Sequence, residues 1–159
     1  MDSQLTQKGF TLIEVLVVTI LLAMAFLVFL GALNFANEKQ SESKLRNIQS
    51  ILLHNLEEQI KSKRYDESSS SPWSSTLGKD SGETAKNHFD DVDDFNGYSI
   101  SSIDNHSAFS ANIIVNYTSL GTKFRSISSS ATNYKRVIIN ISHTALSTIS
   151  DTLIIGSGI

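Results

Sequence analysis

Cysteine is absent from the 159 residues, so neither disulfides nor thiolate metal chemistry is available. Proline occurs once, at Pro72, so no proline interrupts the chain before that point. Charge is missing from the 23 residues between Glu14 and Glu38. As a helix that segment measures roughly 34 Å at 1.5 Å per residue. A hydrocarbon core is about 30 Å thick, so the segment is long enough to cross one. Recognisable catalytic signatures are missing too. There is no Gly-x-Ser-x-Gly, no phosphate-binding glycine loop and no nucleophile–base set. The four histidines, His54, His88, His106 and His143, are too far apart for a helical metal pair. An enzyme is not expected, and no cofactor is called for. The net charge of −3 carries no basic bias, so nucleic acid is not an expected partner.

What is present is concentrated at the start. Lys8-Gly9-Phe10-Thr11-Leu12-Ile13-Glu14 opens the apolar segment, and Glu14 lies one turn inside it. An ordinary secretory signal runs from a basic start through an apolar stretch to a cleavage site. Here a polar stretch comes first, so a cut after Gly9 would leave the apolar segment in the product. The cut would create a new amine at Phe10, close to Glu14. A lone carboxylate in lipid is costly and calls for a partner charge. Opposite charges attract more strongly at low dielectric than in water.

These residues resemble the class III signal of type IV pilins and pseudopilins. The resemblance rests on Gly9, then Phe10-Thr11-Leu12-Ile13-Glu14-Val15-Leu16, and on the hydrophobic span that follows. It implies cleavage after Gly9 by a prepilin peptidase and N-methylation of Phe10. It implies that Glu14 pairs with the Phe10 amine of a neighbouring subunit. The implied partners are other pilin or pseudopilin subunits, the peptidase, an inner-membrane assembly platform and the lipid bilayer. The implied location is a single-pass inner-membrane precursor with a cytoplasmic N-terminus, later part of a pilus or pseudopilus. The flanking charges, Lys8 before the span and Lys39, Lys44 and Arg46 after it, do not by themselves give that orientation. Gly31, where many members carry proline, is a candidate helix hinge.

The pattern after the apolar run predicts one helix over 10–64. Its distal half is amphipathic, with Leu45, Ile48, Leu52, Leu56 and Ile60 on one stripe. Ile51 and Leu53 widen the stripe, while Gln49, Glu57 and Glu58 are read as its polar side. A serine-rich connector with Pro72 follows, and Trp73 is expected to fold back onto the domain. From Gly97 the period changes to two. A first strand is read at Tyr98, Ile100 and Ile103, and a second from Phe109 to Tyr117. A third carries Val137, Ile139 and Ile141, and a short last one Leu153 and Ile155. A hairpin arm is placed over 124–127. The predicted class is α+β, a type IV pilin-like helix packed on an antiparallel sheet of about four strands. The division is a leader over 1–9, a transmembrane and filament-core half over 10–36, an amphipathic half over 37–64, and a connector loop plus sheet over 65–159 forming the periplasmic or extracellular domain.

Phe89-Asp90-Asp91-Val92-Asp93-Asp94-Phe95 is the densest cluster. Asp90, Asp91, Asp93 and Asp94 offer oxygens of the kind calcium prefers, but the spacing does not fit a calcium-binding helix–loop–helix. The favoured reading is a turn with Phe89, Val92 and Phe95 facing the core and the acids facing water. Lys61-Lys63-Arg64, Lys123-Arg125 and Lys135-Arg136 are read as solvated surface. The acidic stretch through Tyr98, with Tyr134-Lys135-Arg136-Val137-Ile138-Ile139-Asn140-Ile141-Ser142, resembles minor pilins of the mannose-sensitive haemagglutinin pilus type. The expected role is a minor pilus subunit in assembly initiation or at the tip. A pseudopilin of a type II secretion system, and a membrane-anchored adhesin or DNA-binding module, are the alternatives.

Overall fold

The computed structural model describes residues 9–103 and 105–158. The proposed leader therefore lies outside the described residues, apart from Gly9. The chain forms two compact units, one ending at Ser43 and one beginning at Lys44. Helix α1 (Leu12–Lys61) contributes to both.

From Val15 to Leu33, Thr19 apart, the part of α1 in the first unit carries apolar side chains around its whole circumference. Every described residue from 9 to 41 is exposed, the pattern expected when a helix has no soluble side to present. Lys39 and Glu42, at i,i+3, pair at 2.9 Å near the end of this unit.

The second unit is built on the distal half of α1. Leu52, Leu56 and Ile60 are buried in the core, with Leu45, Ile48 and Leu53 against it. Two parts of the predicted stripe need correction. Ile51 is exposed. Gln49 and Glu57 are buried, not on the polar side. The Gln49 amide donates to the carbonyls of Ile141 (2.9 Å) and Ser147 (3.1 Å), so its burial answers otherwise open main-chain acceptors. The helix ends at Lys61, short of Arg64. Arg64 instead exchanges main-chain bonds with the segment at 90–92: its N–H donates to Asp90, and its carbonyl accepts from Val92.

One four-stranded antiparallel sheet has the order β1-β2-β3-β4, with β1 Ser99–Ile100, β2 Phe109–Thr118, β3 Tyr134–His143 and β4 Leu146–Gly156. The register sets Ile113 opposite Ile139 and Val115 opposite Val137, so odd-numbered residues of β2 and β3 face the core. Phe89, Val92 and Phe95 close the same core, as their spacing predicts. Phe89 and Phe95 meet edge to face at 5.1 Å. Strand β1 holds two residues only; Ile103 instead bridges His106 and donates to Phe109. The last strand is not short. It spans 11 residues and pairs with β3 at Leu146 and from Ile149 to Gly156, although Ser150, Asp151 and Thr152 hide the alternation. In place of a hairpin arm over 124–127 there is a 3-10 turn at Leu120–Thr122 and a bridge from Thr118 to Ile127. Trp73 folds back as expected, its Nε1 donating to Asn133 Oδ1 at 2.9 Å.

Candidate functional site

Thr11 precedes the first residue of α1, and its Oγ1 accepts from the main-chain N–H of Glu14 at 3.3 Å. This is the N-cap half of a Thr-x-x-Glu capping box, a signal present in the sequence and not used above. The cap employs the backbone of Glu14 and leaves its carboxylate to other work. Phe10, Glu14, Val15, Val18 and Thr19 line one shallow hollow. Gly9 and Phe10 precede the helix and are fully accessible, Phe10 at 82%. The helix start therefore presents a reachable Gly9–Phe10 bond and a carboxylate one turn in. Gly31 sits within the continuous helix, and a Cβ there would meet no atom within 4 Å.

The acidic turn is organised differently from the sequence reading. Only Asp90 faces water; Asp91, Asp93 and Asp94 are buried. The physical reason is main-chain satisfaction. Asp91 Oδ1 accepts from the N–H groups of Asp93 (2.9 Å) and Asp94 (3.3 Å). Asp94 Oδ2 accepts from those of Asp90 (2.9 Å) and Asp91 (3.1 Å). Two side chains thus cap each other's turn, the local bonding that favours Asp in such places. The four aspartates do not converge on one point. Asp90 pairs with Arg64 and Asp93 with Lys135. Two trios, Glu67-Asp90-Asp91 and Glu83-Asp90-Asp94, bring carboxylates within 4.8 Å of one another. In each trio one member, Asp91 or Asp94, spends an oxygen on main-chain N–H groups of the turn, and Asp90 is paired with Arg64.

Lys135 is the residue the sequence reading placed wrongly. It stands at a core-facing position of β3 and is fully buried. Its Nζ donates to Asp93 Oδ1, to Asp66 Oδ2 at 3.1 Å and to the Tyr65 carbonyl. The Tyr65 and Tyr117 rings stand 4.5 and 5.6 Å from it. Burial pushes Asp66 up, but donors from Ser68 and Ser74 and the Lys135 charge outweigh that and hold its carboxyl below the usual range. Burial, then a bond to Asp93 and the neighbouring negative charges, push Asp91 up to about 8. Burial raises both tyrosine hydroxyls above their ordinary range. The available signal was parity: Val137, Ile139 and Ile141 face inward, and Lys135 shares their phase. The other basic clusters are also partly committed, with Arg64 on Asp90 and Glu67 and Lys63 on the Phe89 carbonyl.

Residues 5–30 match the prokaryotic N-terminal methylation motif. No curated protein and no solved structure matches the chain. The motif covers the stretch that carries Gly9, Phe10 and Glu14, and the apolar N-terminal helix begins within it. Together they fit an inner-membrane-anchored precursor that assembles with other pilin subunits after prepilin peptidase processing. Such proteins are structural and not enzymes. With that head, one long helix and a four-stranded antiparallel sheet, the chain has a type IV pilin-like arrangement that carries the methylation motif of pilin and pseudopilin precursors.

Proposed function

We propose that this chain is a minor type IV pilin-like subunit, incorporated into a pilus filament during assembly initiation or at the tip. Prepilin peptidase cuts after Gly9 and the Phe10 amine is methylated. The apolar helix half over 10–36 holds the precursor in the inner membrane and later lies in the filament core. The sheet domain lies outside. Glu14 of the incoming subunit meets the terminal amine of a neighbour, which fixes axial register because each charge alone is disfavoured in an apolar setting.

The observation that carries this reading is the accessible Gly9–Phe10 junction at the head of an apolar helix whose described residues from 9 to 41 are all uncovered. Mass spectrometry of the membrane-extracted product is expected to find Phe10 first and methylated. A product that still begins at Met1 rejects the proposal. Glu14→Ala keeps the main-chain N–H that Thr11 caps, so it removes the carboxylate alone. It should leave processing intact and abolish incorporation; normal incorporation would exclude the charge pairing. The minor role is supported by the resemblance of the acidic turn and of β3 to minor pilins. Immunogold label at fibre ends fits it, and label along whole fibres contradicts it. Gly31 serves as a weak hinge in the assembled helix, and unchanged assembly of Gly31→Ala would remove that role.

A further inference from the structure

The two acids that hold Lys135 are not equivalent. Asp66 accepts from the N–H groups of Ser68 and Ser74, the Ser74 hydroxyl and the Tyr117 hydroxyl. Those donors fix it as a carboxylate that aims the lysine head. Asp93 is held differently. Its Oδ1 lies 2.5 Å from Lys135 Nζ, and two residues back stands Asp91, whose carboxyl is pushed up by burial and then by Asp93. A carboxyl so raised is the one that holds a proton near neutral pH. Asp91 has one oxygen committed to the N–H groups of Asp93 and Asp94, which leaves its other oxygen for that proton. The site therefore contains an amine, a carboxyl polarised by a neighbouring acid, and walls of tyrosine. The Lys135 and Asp66 side chains have no exposure, and that of Asp93 has 5%.

We propose that Lys135 and Asp93 condense into an intramolecular amide, a covalent staple between β3 and the turn at Asp93–Phe95. A carboxyl hydrogen-bonded to an amine has its carbon about 3–3.5 Å away, which is the near-attack range. The steps balance within the site. One proton moves from the Lys135 ammonium to the Asp93 carboxylate, so that an amine faces a carboxylic acid. The nitrogen lone pair attacks Asp93 Cγ and the N–C bond forms. The proton leaving nitrogen passes to Asp91 as Asp91 delivers its own to the departing hydroxyl. The C–O bond breaks and one water leaves. Asp91 ends as it began, and no oxidant or other reactant enters. Fixed geometry replaces the activation that such a condensation otherwise needs, because oriented intramolecular partners reach effective concentrations of about 10⁵ M and above.

The bond would join residues 42 apart in a chain without cysteine. It would restrict the unfolded chain as a disulfide does, without sensitivity to reductant. It does not depend on the filament reading, since every participant belongs to the sheet domain. The test is the intact mass of the full chain purified in detergent, followed by proteolytic mapping. The expected mass is one water below that of the sequence, with a branched peptide joining Asp93 to Lys135. A full mass in the folded protein overturns the proposal, as does a water lost elsewhere, for example in a succinimide with Lys135 free. Asp91→Asn, checked for its fold by circular dichroism, should slow amide formation by about 10²-fold or more, the range for a removed general acid. Formation at the unaltered rate would overturn the part assigned to Asp91. Lys135→Arg should keep the full mass, and a water lost there as well would locate the dehydration outside this pair.

Discussion

The two units of this chain treat burial in opposite ways. The first carries a long apolar run inside a stretch, 9 to 41, that is exposed throughout. The second covers its apolar side chains and also takes Lys135, Asp66, Asp91, Asp93 and Asp94 into its interior. An apolar surface of that extent is expected to be covered by something other than the chain itself, lipid or neighbouring copies. A buried ionic group stays only when its partners satisfy it, and here they all come from the same chain. The first unit is thus completed from outside and the second from within.

The comparison can be broken by substitutions read on one unfolding transition of the detergent-solubilised chain. The largest effect is expected from Phe95→Ala. That ring is fully buried against Phe89 and Tyr98, and its removal should cost about 3–5 kcal/mol in denaturant unfolding. Gln49→Ala should come next, at about 1–3 kcal/mol, because it strands the carbonyls of Ile141 and Ser147. Glu57→Gln sharpens the picture through pH. Burial, and then the bond to Asp151, raise the Glu57 carboxyl above 4.5 in the folded state. The folded state therefore holds that proton to higher pH than the unfolded state, and stability falls as pH rises above about 4.5. The substitution should stabilise at pH 7, with the gain vanishing by pH 4. A gain of equal size at both pH values would contradict this account. The smallest effect belongs to the first unit. Leu22→Ala should shift the transition by less than about 0.5 kcal/mol, since Leu22 is exposed among the described residues. A loss of a few kcal/mol there would mean that the chain covers its own apolar helix.

Much of the architecture was legible because it is periodic. The spacing of Leu52, Leu56 and Ile60 located the buried stripe, and the alternation in β2 and β3 gave their register with the core. The spacing of Phe89, Val92 and Phe95 located their burial. Legibility failed where local chemistry and pattern disagreed. Asp151 and its polar neighbours disguised β4, whose length is set by pairing with β3. The acids of the 90–94 turn read as solvated, because an aspartate that caps main-chain N–H groups has the same letter as one in water. Glu57 and Gln49 read as polar-face residues for the same reason.

The sequence by itself determined the charge-free helical span, the head at Gly9, Phe10 and Glu14, and the succession of one helix and an antiparallel sheet. Those properties depend on neighbours a few residues apart, and hydrophobic spacing encodes them directly. Only the tertiary structure decided that Lys135 lies inside, and that Asp66 and Asp93 meet it across 69 and 42 residues. Whether a charge is buried depends on which distant groups arrive to satisfy it, and no local period carries that information.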